Sequence, residues 1–237
     1  MKQILLKGAD ELGIVLSETQ IEEFVQFYRI ILVGNEMCNL TSITEMFEVV
    51  TKHYLDSLTC LKAVSFDGDT SLLDVGSGAG FPGIPLKILC QDLKVVLIES
   101  VNKKVNFMND AILQIGLKNI SAFHHRAEEL GNNFKYREKY DRVTARAVAQ
   151  LNVLAEYCIP LVKIGGYFIA MKGPSADEEI NISIPAIKKL GADIEKVITL
   201  KLPLSGEGRT LIAIRKIFKT PTYYPRGVGI PTKKPLK

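Results

Sequence analysis

The sequence predicts an α/β fold: a mostly parallel seven-stranded sheet with an antiparallel edge hairpin, preceded by an N-terminal helical segment. Three observations carry this. From residue 71 onward, short apolar runs alternate with longer helical patterns, which implies crossover units and a sheet covered on both faces. The last two runs are joined only by "PLSGEG", too short for a crossover, so they form a hairpin at one edge. Residues 1 to about 66 carry helical periodicity alone.

The elements follow in order. "SETQIEEFVQFYRIILVGN" opens with Ser17 and Gln20 at capping-box spacing, and Ile21, Phe24, Val25, Tyr28, Ile31 and Leu32 then recur at helical intervals. In "NLTSITEMFEVVTKHYLDSLTCL", Ser42 and Glu45 can cap, and Met46, Val49, Val50, His53, Leu58 and Leu61 mark an apolar face. His53 on that face reads first as a packing residue. "SFDGDT" breaks the pattern. Strands are expected at 71–75, 94–99, 120–123, 141–147, 166–172, 192–202 and 209–216. Helices are expected around 84–91, 101–115, 126–130, 150–162 and 175–190. The chain thus divides into a helical extension (1–66), an α/β domain (67–216) and a tail (217–237). Prolines 221, 225, 231 and 235 keep the tail out of helix and sheet, so it reads as an extended arm, ordered only if something holds it.

The totals bound the possibilities. With 237 residues, 47% apolar and 24% charged, the chain can build a full core. No apolar run approaches the roughly 18 residues that span a bilayer. "MKQILLKGADELG" is too short in apolar core to be a secretory signal, so a cytoplasmic protein is expected. Cys38, Cys60, Cys90 and Cys158 are far apart and form no C-x-x-C pair, so no metal or iron–sulfur centre is expected. Net charge is +4, yet residues 216–237 hold six basic residues and no acid. The remainder holds 24 basic against 26 acidic residues, so the whole surplus sits at the C-terminus and points to an anionic partner.

"LLDVGSGAGFPGIPL" (72–86) fits two ligand loops. From Gly78 it fits the dinucleotide pattern G-x-G-x-x-G. From Asp74 it fits the acid-plus-glycine loop of S-adenosylmethionine (SAM) binders. The first glycine should follow its strand directly, and "LLDV" makes that residue Gly76. Asp74 would also repel a pyrophosphate, whereas a carboxylate can accept from the ammonium of SAM. Gly76, Gly78 and Gly80 allow positive φ and close backbone approach. Pro82 and Pro85 suit a first helical turn. The second strand ends in Glu99, 23 residues after Gly76, where an acid commonly binds ribose hydroxyls in NAD and SAM sites alike.

The fourth strand, "YDRVTARAVAQL", brings Arg142 and Arg146 at or near the active-site end, and Lys172 follows the fifth strand. There is no N-P-P-Y loop, no Pro-Cys nucleophile and no Ser-His-Asp set. The absence of a general base suits an acceptor with a free lone pair, such as N7 of guanine, for which positioning and desolvation suffice. In the tail, Tyr223 and Tyr224 are interleaved with Arg226, Lys233 and Lys234, a pairing of rings and cations found in RNA sites. A methyltransferase for a small molecule or protein, and a nucleotide-binding module without catalysis, remain open on the residues alone.

"NLTSI", "HYLDSL", "LLDVGSGAGFPGIPLKI", "RAEEL", "VTARAVAQL", "MKG", "GRTLIAIRK" and "TPTYYPRGVGIPTKKPL" together resemble the bacterial guanine-N7 methyltransferases of small-subunit ribosomal RNA, the glucose-inhibited division protein B family. The resemblance spans nearly the whole chain. It implies a Rossmann-like class I SAM-dependent methyltransferase fold, SAM as cofactor, and methylation of N7 of one guanine in 16S rRNA. It implies that Gly76, Phe81, Ala127, Glu128 and Arg146 contact SAM, with Ala127 and Glu128 at the adenine end. Asp74, Gly78 and Glu99 join them from the loop argument. The expected RNA contacts are Arg142, Lys172, Arg209, Arg226, Lys233 and Lys234. The expected partner is 16S rRNA or the small ribosomal subunit, met by a monomer without metal or membrane.

Overall fold

A computed structural model describes residues 1–237. Its strands are β1 (Ser71–Val75), β2 (Lys94–Glu99), β3 (Ile120–His124), β4 (Tyr140–Arg146), β5 (Val162–Lys172), β6 (Ala192–Lys201) and β7 (Gly208–Lys216). They form one sheet in the order β3-β2-β1-β4-β5-β7-β6. The first five run parallel; β7 is antiparallel to β5 and to β6. Strand order therefore reverses at β1, where β2 lies on one side and β4 on the other. In such sheets the crevice beyond the carboxyl ends at this point is where ligands bind.

All seven expected strands form. β5 starts at Val162, four residues before its expected start and at the last residue assigned to the preceding helix. Its register against β4 jumps from Tyr140↔Val162 to Arg142↔Tyr167, so the extra residues are taken up as a bulge. The helix before it is shorter for the same reason: Leu151–Cys158, then a 3₁₀ turn Ile159–Leu161 containing Pro160.

Side chains alternate across the sheet. Leu72, Leu97 and Ile169 pack on the face that carries the N-terminal helices, while Leu73, Phe168 and Ala170 pack on the other. On the first face, α1 (Lys2–Glu11) and α2 (Glu18–Cys38) contribute Leu5, Phe24 and Phe27, and the two phenylalanine rings meet Tyr54. Phe27 and Tyr54 are fully buried, and each contributes about 1.5–3 kcal/mol by area. α2 begins with the expected capping box: Gln20 N–H donates to Ser17 Oγ, and Ser17 N–H donates to Gln20 Oε1. The same Gln20 amide donates to the carbonyls of Ile88 and Leu89, fastening the helix start to the end of helix Gly83–Leu89.

The helical segment that follows α2 departs from expectation. Glu45 rather than Ser42 caps it, accepting from Glu48 N–H at 3.0 Å. After one α-turn the chain widens into a π-helix over Val49–Leu55 before resuming at Asp56–Leu58. Such widenings are frequent at functional sites. Period alone could not reveal one, because six of its seven residues are buried whichever helix type forms.

The tail is also not a free arm. Arg137 donates to the carbonyls of Thr220, Pro221 and Tyr224. Asn132 donates to the carbonyl of Pro225, and Asn152 to that of Leu236. Tyr224 and Leu236 enter the second core face. No helix is long and apolar enough to cross a membrane.

Candidate cofactor and acceptor site

The turn after β1 is shaped by its backbone. Gly76 and Gly78 hold φ of +71° and +60°, a region side chains rarely enter. A Cβ at Gly76 would also strike Val148 at 2.6 Å, whereas one at Gly78 would meet nothing within 4 Å. Gly78 thus faces open space, as a loop that lets a ligand approach its backbone should.

Asp74 does not face that space. It is fully buried; its Oδ2 accepts from Gly83 N–H and its Oδ1 from the Thr144 hydroxyl, each at 3.0 Å. Burial pushes its pKa up to about 6, against the pull of these donors. The expected contact between Asp74 and the ammonium of SAM is therefore corrected: the carboxylate ties the loop to its following helix and to β4. The error arose because alternation along β1 turns this side chain inward.

Glu99 does reach the loop. Its Oε2 accepts from Gly78 N–H at 3.0 Å, and its Oε1 from Ser100 and Val101 N–H. These bonds hold the end of β2 against the glycine turn while leaving further lone pairs on the carboxylate.

Three cavities run along the carboxyl edge. The first, about 210 Å³, is bounded by Gly76, Glu99, Ala127, Glu128, Tyr157 and Thr232, among others. The second, about 340 Å³, shares Gly76, Glu99 and Val148 with it and adds Gly78, Phe81 and Arg146. The third, about 430 Å³, shares His53, Arg146 and Ala147 with the second and is bounded by Lys52, Asp56, Lys172 and Arg209. Gly76, Gly78, Phe81, Glu99, Ala127, Glu128 and Arg146 are thus brought together along one trough. A separate groove of about 450 Å³ between α2 and helix Asn102–Ile115 contains none of these strand-end residues.

Where the second and third cavities meet, Arg146 is clamped. Its Nη1 donates to Asp56 Oδ2 at 2.8 Å and to the Lys52 carbonyl at 3.0 Å. Its guanidinium lies 5.1 Å from the centre of the Phe81 ring, a cation–π distance. Asp56 is almost wholly buried and also takes Arg209 Nε on Oδ1 at 3.2 Å, so one carboxylate orients two arginines. The His53 ring stacks on Phe81 at 4.5 Å and lies 3.0 Å from Thr41 Oγ1. Burial, reinforced by Arg146, drops its pKa to about 3, so the ring is neutral at physiological pH. His53 is therefore a packing residue, but it packs on the site itself. Ala147, the residue after β4, holds φ +57°, a strained value for alanine and common at functional turns.

Asp56, Lys52 and Glu207 were not singled out from the sequence. Asp56 stood within the quoted "HYLDSL", but only its ion pairs with Arg146 and Arg209, 90 and 153 positions away, show that it points at the strand ends. Of the expected RNA contacts, Lys172 and Arg209 border the third cavity, where Lys172 pairs with Glu179 at 2.7 Å. Lys233 and Lys234 are exposed on the tail. Two others are corrected. Arg142 lies near the start of β4, not its end: it pairs in register with Leu72 and donates to the Ser65 carbonyl. Four residues of strand put it about 13 Å from Arg146. Arg226 is turned inward onto fully buried Glu156, with Nε and Nη2 on its two oxygens at 2.9 and 2.6 Å.

Comparison with known proteins agrees with this geometry. Residues 20–206 match the family described as rRNA small subunit methyltransferase G (GidB). The chain is 51% identical over 236 residues to "Ribosomal RNA small subunit methyltransferase G" of Pelotomaculum thermopropionicum, covering 100% of this chain and 99% of that one. It is 47% identical to the protein of the same name from Desulforamulus reducens, covering 98% and 97%. Among solved structures, a SAM-dependent methyltransferase from Aquifex aeolicus superposes with a TM-score of 0.56 at 17% identity, covering 76% of this chain and 97% of that one. That likeness bears on the fold, which is the Rossmann-like class I methyltransferase fold. The relatives, matched along their full length, settle the lineage: this chain belongs to the GidB family of small-subunit rRNA methyltransferases.

Proposed function

We propose that the protein transfers a methyl group from SAM to N7 of a guanine in 16S rRNA, acting in the cytoplasm as a monomer. The observation that carries this reading is the continuous trough: an open glycine turn leads past Phe81 and Arg146 into a cation-rich acceptor cavity. The residues fit SAM. Gly76, Gly78 and Glu99 would hold its central part, Ala127 and Glu128 its adenine end, and Phe81 and Arg146 would border its reactive end. When bound, SAM supplies a sulfonium methyl group that an in-line lone pair can displace.

The protein's own part is positioning and charge. None of the groups around the third cavity is placed to remove a proton. Asp56 is committed to two arginines, Glu207 to Lys52 and Arg209, and His53 binds protons weakly. An acceptor with a free lone pair needs no such removal, and guanine N7 is one. Lys52, Arg146, Lys172 and Arg209 suit a polyanion, which predicts steep salt dependence of rRNA binding. N7 lies in the deep groove of A-form RNA, so the acceptor must be exposed in a loop or flipped out.

The direct test is mass mapping of 16S rRNA from cells lacking the protein. One 7-methylguanosine should be missing and should return on complementation. An unchanged modification map would overturn the reading.

A further inference from the structure

Thr232 closes the first cavity from a segment that the SAM loop does not contain. Between Arg226 and Leu236 the tail crosses the cavity mouth as a strap. Arg226 anchors one end on Glu156, and the Leu236 carbonyl accepts from Asn152 at the other. Upstream, Pro225 lies so close to Gly131 that a Cβ there would approach its ring within 2.6 Å. Within the strap, Gly229 N–H donates to Glu128 Oε1 at 3.0 Å. The Thr232 hydroxyl meets the Tyr157 hydroxyl at 2.8 Å. Both Thr232 and Tyr157 line the cavity with Glu128.

We propose that this C-terminal strap is a working wall of the cofactor pocket: Thr232 and Tyr157 bind the adenine end of SAM, and Glu128 joins the strap to the cofactor, so that each stabilises the other. The chemistry is suited to it. An adenine edge offers an amino donor beside a ring-nitrogen acceptor. Two hydroxyls, each able to donate and accept, and the second oxygen of Glu128 can answer both. Because Glu128 holds the strap with one oxygen only, the other is left for the ligand. By linkage, whatever the strap adds to SAM affinity, SAM adds to the seating of the strap. The tail's cations are then secondary to its hydroxyl and amide.

The proposal rests on the assignment of the first cavity to adenosine, and the experiment separates the two. Deleting residues 217–237 would strand Glu156 and Arg137 and could unfold the chain, so point variants are used. In calorimetry with SAM and with S-adenosylhomocysteine, Thr232→Val and Tyr157→Phe should each weaken binding roughly 5- to 10-fold. Thr222→Val, on the exposed part of the tail away from the cavity, should leave affinity unchanged. Saturating S-adenosylhomocysteine should slow tryptic cleavage after Lys233 and hydrogen exchange at Gly229. Gly76→Asp, which fills the turn and adds charge, should lower SAM affinity more than 100-fold. If Gly76→Asp binds SAM normally, the site assignment itself fails. If it loses binding while Thr232→Val and Tyr157→Phe keep wild-type affinity and the strap's protection ignores the ligand, the site stands and the strap proposal is overturned.

Discussion

From Val75 to Gly83 the chain is held largely through its backbone: three positive-φ glycines, strand-end carbonyls, and N–H groups that find Glu99 and Asp74. From Thr220 to Leu236 it is held by side chains from elsewhere: Arg137, Glu156, Asn132 and Asn152. Both segments border the same cavity. The first spends glycines and draws its side-chain partners from 9 and 21 positions away. The second brings distant residues to the rim, and its own backbone ladder is confined to the single helical turn Ile230–Lys233. A loop of the first kind is specified locally; one of the second kind exists only once the sheet has folded.

The largest test of this contrast is Arg226→Met. Removing the guanidinium leaves fully buried Glu156 without its partner, and breaking such a pair costs about 3–5 kcal/mol. Denaturant unfolding should show that loss. A change below about 1 kcal/mol would mean that the tail is not anchored there.

Next is the pH dependence of the loop's anchor. Asp74 binds its proton more tightly folded than unfolded, because burial raises its pKa to about 6 from an ordinary 3.8. Its contribution to stability is therefore present below pH 4 and is lost as pH rises through 6. In Asp74→Asn that loss is absent. The variant's stability relative to wild type should climb between pH 4 and 7 by up to about 3 kcal/mol, at 1.4 kcal/mol per pKa unit. Parallel stability curves would show that Asp74 is solvated and the loop open.

The smallest expected effect is Gly78→Ala. Positive φ costs alanine roughly 1–2 kcal/mol, and its methyl group meets no neighbour. A loss well above 3 kcal/mol in thermal or denaturant unfolding would mean that the turn is crowded rather than open.

The sheet was legible because each strand is a short apolar run between helices, and both faces of the sheet are covered. The glycine frame was legible from the boundary of β1. Three things were not. Asp74 looked like a ligand group because sequence shows that an acid ends a strand but not which face it takes. Arg142 and Arg146 looked equivalent because the strand between them was expected one residue late and its direction was not applied to each side chain. The tail looked free because its partners lie about 70 to 90 positions away, and nothing in "YYPRGVG" marks Arg226 as one half of a buried pair.

Asp56 has a practical meaning for dissecting the chain. The two arginines it orients stand on β4 and β7, inside the α/β portion, but the carboxylate comes from the helices before β1. Phe81, in the glycine turn, likewise leans on Phe27, Tyr54 and His53 from that region. A shortened version beginning at residue 67 would keep every strand and the whole glycine turn, and still lack Ile43, Lys52, His53 and Asp56 from the wall of the third cavity. Transplanting the first 66 residues between relatives would therefore replace part of that cavity wall as well as packing.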